Sequence, residues 1–329
     1  MPSSNPLLQL PGMDGFRERV EATLMASVAA EDELMAQMGG HLITAGGKRA
    51  RPLFTVCSAA IPAPDPAAVE ALVTDDVIRG GVAVELVQVG SLCHDDVIDE
   101  ADTRRGVESV NARWGNLKAI LAGDFLLAKA SEIAASLGTE VAGLLAATIG
   151  RLCEGEVHEL RTAYDPDRTE ESYTAAIAGK TAALFATACR VGGIVGGLPR
   201  TDVDRLTEFG QRYGMAFQVV DDVLDVVATD EQLGKPAGHD IAEGIYNLPV
   251  IRALQGPRGD ELRALLGRPI EGEALERARD LVRADDGVAQ SIEVAHRYVA
   301  EAVACLEPYG DAPAAVALRG AAEHLVASL

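Results

Sequence analysis

Aromatic residues are scarce: one Trp, six Tyr and six Phe make up 4% of 329 residues. That is too sparse for a base-stacking surface that would bind single-stranded nucleic acid. The Ala, Leu and Val that dominate instead suit packed helices better than sheets. Positive charge is short as well. There are 29 Lys and Arg against 50 Asp and Glu, for a net charge of −21. No basic stripe exists to neutralise nucleic-acid phosphates, and the same balance of charge argues against attraction to anionic lipid. Cysteine is limited to Cys57, Cys93, Cys153, Cys189 and Cys305, an odd number without a C-x-x-C pair. Each lies in an apolar context, so buried, reduced thiols are expected and a zinc site is not. The opening MPSSNPLLQLPGMDG has no positively charged start and no long apolar core, so no secretory signal is expected and a cytoplasmic protein is. The most apolar stretch, 175–198, is broken by Lys180 and Arg190 and crowded with glycine, which favours a buried helix over a membrane span.

What the chain does have is helical periodicity almost throughout, with hydrophobic residues at 48% and alternating strand patterns almost nowhere. Helices are expected over about 13–38, 75–100, 116–137, 140–163, 169–195 and 202–227, and further ones run to the C-terminus. GGHLITAGGKRARP breaks the pattern before a helix in which Pro52 suits an early position. No Pro- or Ser-rich linker divides the chain, and no repeat of 20–50 residues stands out. The reading is one all-α domain over 1–329, a bundle around long central helices, with 1–12 as a flexible N-terminal segment.

One short pattern occurs twice: DDVID at Asp95–Asp99 and DDVLD at Asp221–Asp225, 126 positions apart. On a helix, Asp95 and Asp99 lie about 40° apart and one turn along, and Asp221 and Asp225 do the same. Like charges at that spacing repel. Both clusters follow strongly apolar runs, VAVELVQVGSLC and YGMAFQVV, where unpaired carboxylates would be costly. Mg²⁺ resolves this, because it accepts one or two carboxylates together with water and phosphate oxygens. One such cluster alone could be a solvated helix end. Two make a metal–diphosphate clamp the better reading, and the spacing of an EF-hand loop is absent. An otherwise acidic chain also places Lys48, Arg49 and Arg51 in a glycine-rich loop, Arg104 and Arg105 just after the first aspartates, and Lys235 in a glycine-bearing loop after the second. Arg grips phosphate through a bidentate fork and Lys through a point charge. Lys180 sits among the apolar runs AAIAG and TAALFATAC, so it needs an anionic partner.

With these residues in view, the sequence resembles the trans-polyprenyl diphosphate synthases. Five blocks match in order: GGKRARP (46–52), HDDVIDEADTRRG (94–106), GKTAALF (179–185), FQVVDDVLD (217–225) and GKPAGHDIAEG (234–244). The resemblance implies an isoprenoid-synthase helical bundle around a deep central cavity. It implies a homodimer that joins isopentenyl diphosphate to an allylic diphosphate, with three Mg²⁺ ions per active site. Carried over by position, Lys48, Arg51 and Arg105 hold isopentenyl diphosphate, with Gln88 where a His is frequent. Arg104, Lys180 and Lys235 hold the allylic diphosphate, with Thr181 and Gln218 nearby. Asp95, Asp99 and Asp221 are the leading metal ligands, and Asp96, Asp222 and Asp225 bind through water or support the others. Asp95, Asp99, Asp221, Lys180 and Arg104 thus carry the chemistry. In the family, bulky residues four and five places before the first aspartate stop the growing chain. Here those places hold Ser91 and Gly90, with Val87 deeper. One helical turn rises about 5.4 Å, near the length of one isoprene unit. An open path therefore implies a product of C30 or more, unless Gly90 and Ser91 serve only close helix packing. One block departs from the pattern. EGIYNLP (243–249) puts Ile245 and Asn247 where relatives have Lys and Thr. A shorter-chain C15 or C20 synthase, a class I terpene cyclase and a non-catalytic partner subunit are the alternatives. GGKRARP and the Arg104–Arg105 pair weigh against the cyclase, which holds no second diphosphate. Two intact aspartate clusters weigh against the partner subunit.

Overall fold

The computed structural model describes residues 5–229, 237–327 and 329. The helices follow in the order α1 (Met13–Ser27), α2 (Glu33–Thr44), α3 (Ala50–Ala59), α4 (Pro66–Leu72), α5 (Asp75–Ile98), α6 (Val110–Trp114), α7 (Asn116–Ser136), α8 (Thr139–Arg161), α9 (Glu170–Ile177), α10 (Ala183–Val195), α11 (Arg200–Val227), α12 (His239–Ala242), α13 (Leu248–Ala253), α14 (Gly259–Leu265), α15 (Gly272–Arg283), α16 (Gly287–Cys305) and α17 (Pro313–Val326). Among the described residues the sheet content is one hairpin, β1 (Thr103–Arg104) with β2 (Val107–Glu108). The expected segment 13–38 is two helices, because Val28–Asp32 interrupts it and the Asp32 side chain caps α2 at Met35 N. Residues 6–9, placed in a flexible segment by the sequence reading, form a turn of 3₁₀ helix that buries Leu7, and Leu10 is buried just after it. Among the described residues no helix is long and apolar enough to cross a membrane.

Contacts divide the chain into two compact units. The first comprises Met1–Ile149, Leu184–Thr207 and Leu306–Gly320, and the second Gly150–Ala183, Glu208–Cys305 and Ala321–Leu329. In the first unit α5 packs against α1, α3 and α7. Thr74 caps its start by accepting from Val77 N at 3.3 Å, and Asp75 and Asp76 complement the positive end of its dipole. Val82, Val84, Leu86, Val87 and Val89 are completely buried, so the middle of this helix is enclosed on every side within the unit. Each of these side chains contributes roughly 1.5–3 kcal/mol relative to exposure. In the second unit one core joins Val226, Ile241, Tyr246, Val250 and Leu281, and another joins Tyr173, Ile177, Val219, Ile251 and Ala295. The C-terminal end of α11 is closed by two arginines of α15. Arg279 donates to Val226 O and Ala228 O, and Arg283 donates to Val226 O at 2.8 Å. Cations on the last carbonyls favour ending the helix there.

Candidate active site

In the first unit, α5 delivers the first aspartates at its C-terminal end. Asp95 is half-buried, Asp96 fully buried and Asp99 exposed, and Asp99 N–H closes the helix on Asp95 O at 2.8 Å. Carboxylates at the negative end of a helix dipole are disfavoured, so stability does not account for them. Asp96 Oδ1 accepts from Arg104 Nε at 2.6 Å, while its buried Oδ2 has no hydrogen-bond partner. Burial raises the Asp96 pKa against the pull of Arg104.

Arg104 and Arg105 are set by the hairpin that the sequence reading missed. Thr103 pairs with Glu108 and Arg104 with Val107, which leaves Arg105 and Gly106 as the two turn residues, both at positive φ (55° and 77°). Such a turn matches the twist of the strands but strains a non-glycine residue by roughly 1–2 kcal/mol. Arg105 is held there by donating through Nη1 to Leu42 O at 2.7 Å and Gly46 O at 2.5 Å. The structure thus separates the two arginines, with Arg104 turned to Asp96 and Arg105 to the 42–46 backbone. Lys48 is exposed on that loop, and the Arg51 guanidinium lies 4.7 Å from the centre of the Phe185 ring. Gln88 is half-buried, and its carbonyl accepts from Ser91 Oγ at 3.0 Å. Val87 is fully buried. Gly90 is buried against α7, where a Cβ would lie 3.1 Å from Gly123 O and 3.3 Å from the Leu127 side chain. That position therefore serves close helix packing whatever else it does.

In the second unit, Lys180 and Thr181 lie in a π-helical turn, Ala178–Ala182, between α9 and α10. Such turns recur at functional sites because they displace side chains from the α-helical register. Gly155 of α8 makes room for it, since a Cβ there would collide with the backbone of Gly179 and Lys180. Close packing brings Glu156 and Glu159 to Lys180 Nζ at 2.8 and 2.5 Å. Burial opposes the lysine charge, but Glu159 and Glu156 hold its pKa above the ordinary value. The anionic partner that Lys180 required is thus present within the protein, in GEVHEL.

Asp221 is exposed and Asp222 and Asp225 are buried in the last turns of α11, again at the negative end of a helix. Asp222 Oδ2 accepts from Tyr173 Oη at 2.5 Å and Oδ1 from Gln218 Nε2 at 2.9 Å, and Gln218 in turn accepts from Thr181 at 2.7 Å. Burial raises the Asp222 pKa to about 7, against the Tyr173 and Gln218 hydrogen bonds that lower it. Asp225 Oδ2 accepts from Asp240 N at 3.2 Å. Asn247, in the departing block, is buried and donates to Asp240 Oδ2 at 3.2 Å. Lys235 lies outside the described residues.

Tyr173, Glu156, Glu159 and Arg168 were not identified from sequence. The two glutamates, three apart on one helical face, were the legible signal. Tyr173 and Arg168 carried none. Of the cysteines, Cys57, Cys93 and Cys189 are buried, with burial pushing the Cys93 and Cys189 thiols up to about 12, but Cys153 is exposed, contrary to expectation.

Among the described residues no three His, Cys, Asp or Glu side chains form a metal cage by themselves. The oxygen donors do fit Mg²⁺, which takes one or two carboxylates and completes its shell with water and phosphate. The orphaned Oδ2 of Asp96 is consistent with a water-mediated ligand.

Residues 32–282 match the polyprenyl synthetase family. The chain is 40% identical over 312 residues to nonaprenyl diphosphate synthase of Mycobacterium tuberculosis, covering 94% of this chain and 91% of that one. It is 36% identical over 289 residues to heptaprenyl diphosphate synthase component 2 of Geobacillus stearothermophilus, covering 88% of each. It superimposes with a TM-score of 0.89 and 31% identity on the polyprenyl synthase of Caulobacter crescentus complexed with calcium and isoprenyl diphosphate, covering 98% and 97% of the two chains. The chain belongs to the polyprenyl synthetase family. It is a transferase with the helical isoprenoid-synthase fold, as the five sequence blocks implied.

Proposed function

We propose that this protein condenses isopentenyl diphosphate with an allylic diphosphate in trans and releases a polyprenyl diphosphate of C30 or more. The observation that carries the reading is the pair of aspartate clusters at helix C-termini, where the dipole opposes them and bound cations would offset the cost. The long product is supported by the small Gly90 and Ser91 before the first aspartates, and by relatives named for nonaprenyl and heptaprenyl products.

Asp95, Asp99 and Asp221 hold the metal, with Asp96, Asp222 and Asp225 as supports. Three Mg²⁺ ions held by these carboxylates would supply positive charge to a departing diphosphate. Arg104, Lys180 and Lys235 bind the allylic diphosphate, with Thr181 and Gln218 beside it. Lys48, Arg51, Gln88 and Arg105 bind isopentenyl diphosphate. The allylic C–O bond breaks and its electron pair leaves with the diphosphate, which Lys180 and Arg104 stabilise. The alkene of isopentenyl diphosphate attacks the resulting allylic cation, forming the new C–C bond. A proton then passes to the departed diphosphate and restores a double bond. An apolar path for the growing chain would exclude the water that otherwise quenches the cation.

The whole chain acts as one catalytic domain in the cytoplasm and pairs with a second copy of itself. The exposed stripe Leu117, Ile120 and Leu121 on α7, at i, i+3 and i+4, supports self-association. The test is incubation with Mg²⁺, labelled isopentenyl diphosphate and C10, C15 or C20 allylic diphosphates, followed by sizing of the dephosphorylated products. Metal-dependent chains of C30 or more are expected. A stop at C15 or C20 would overturn the product length. No condensation by folded protein would overturn the activity and favour a partner-dependent component. Light scattering after gel filtration should give twice the chain mass of 34.5 kDa.

A further inference from the structure

We infer that Glu85, a buried acid outside every motif, is a positioning residue that sets the arginines of the isopentenyl diphosphate site. This rests on the functional reading above. Glu85 lies on α5 and is 2% exposed. Its Oε1 is 3.5 Å from Arg49 Nη1 and 3.7 Å from Arg105 Nη2, and the Arg51 charge also acts on it. Its Oε2 is buried with no hydrogen-bond partner. Glu85 is therefore the shared counter-ion of three arginines, and it offers no direct help to an anionic substrate, which its charge would repel.

Arg49 shows why the shared carboxylate matters. Nε donates to Glu21 Oε1, Nη1 to Gly46 O and Glu85 Oε1, and Nη2 to Glu21 Oε2 and Ile43 O. All five guanidinium donors are thus engaged. Arg49 has nothing left for substrate and acts as a clamp on the loop that presents Lys48. It does so from a strained backbone, at φ 48°. Arg105 reaches the same loop, and its guanidinium lies so close to Gly47 that a Cβ there would be 3.0 Å from Arg105 Cζ. Loop, clamp and Arg105 thus converge on one carboxylate. Without it, the like charges of Arg49, Arg51 and Arg105 would repel and spread. Burial raises the Glu85 pKa, and the charges of Arg51, Arg49 and Arg105 oppose that rise.

The test is steady-state kinetics of the full-length protein and its Glu85→Gln and Glu85→Asp variants, varying isopentenyl diphosphate and farnesyl diphosphate separately. Glu85→Gln should raise KM for isopentenyl diphosphate at least tenfold. KM for farnesyl diphosphate should stay within about twofold and kcat within a few-fold, and Glu85→Asp should fall between wild type and Glu85→Gln. Equal rises in both KM values, or an unchanged KM for isopentenyl diphosphate, would overturn the assignment. If Glu85→Gln does not fold, the same two ratios for Glu85→Asp decide. Wild type is measured first: without condensation by wild type the functional reading itself fails and takes this role with it, whereas active wild type with unmoved variants refutes the role of Glu85 alone.

Discussion

Replacing Lys180 with Met tests whether this residue belongs to the substrate alone or also to the fold. Its Nζ lies 2.8 Å from Glu156 and 2.5 Å from Glu159. The two glutamate side chains are about 15% exposed and the lysine 33%. Removing one partner of a buried ion pair costs about 3–5 kcal/mol, because the opposing charge is left uncompensated. Here two carboxylates would be left facing each other, but the lysine is one-third exposed and solvent screens part of the effect. A loss of roughly 2–3 kcal/mol from the substrate-free protein is therefore expected. A charge kept only for substrate predicts the reverse, since such residues are commonly held at the expense of stability. Urea unfolding of the free protein distinguishes the two. At pH about 7 Lys180→Met should unfold at lower urea, and the deficit should narrow toward pH about 4 as carboxylates take up protons. Adding Glu159→Gln to Lys180→Met should recover part of the loss, in a cycle that isolates the pair. Equal or greater stability of Lys180→Met near pH 7 would refute the reasoning.

The remaining predictions concern pH, packing and metal. Asp222 binds its proton more tightly folded than unfolded, with a pKa of about 7 against 3.8, so its contribution to stability is full below about 4 and is lost as pH rises through about 7. The change amounts to at most about 4 kcal/mol. Asp222→Asn should flatten that part of the stability–pH curve measured with chelator present, and an unchanged slope would count against it. Gly90→Ala should destabilise by about 1–3 kcal/mol through contact with Gly123 O and Leu127, as read by thermal or urea unfolding. Ser91→Phe, at a half-buried position, should instead leave stability nearly unchanged and shorten the product, and chromatography showing unaltered chain length would remove Ser91 from the path. Chelation with EDTA should lower turnover by at least about a hundredfold, and added Mg²⁺ should restore it.

Helices α5, α7, α8 and α11 were legible within about two residues because each carries a long apolar pattern, to which α5 adds its Thr74 cap. Both aspartate clusters were legible because acids at the end of an apolar helix violate the usual pattern. Less visible was whatever depends on distant contacts. The Arg104–Arg105 hairpin lacks the Asn-Gly or Asp-Gly turn that signals such a structure, since its left-handed Arg105 is fixed by the remote carbonyls of Leu42 and Gly46. The π-helical turn at Lys180 depends on glycines at 155 and 179, 24 positions apart, meeting backbone to backbone. Tyr173 reads as an ordinary core aromatic, and only the fold brings its hydroxyl to Asp222.

The departing block EGIYNLP makes the same point from the opposite direction. Counted by motif, Ile245 in place of Lys removes a cation from the second aspartate cluster. In the structure the block is committed to internal bonds. Asn247 holds Asp240, Tyr246 Oη accepts from Gly267 N at 2.7 Å, and Tyr246 O accepts from Arg168 at 3.1 Å. Arg168 is 5% exposed, and the charges of Glu159, Asp222 and Asp240 all act on it. Burial lowers its pKa and those acids oppose the fall. A guanidinium remains charged in any protein environment of this kind. A buried cation therefore stands beside the half-buried Lys180 near these acids, supplied by the loop before α9. The loss of a motif lysine at 245 does not leave the local charge uncompensated.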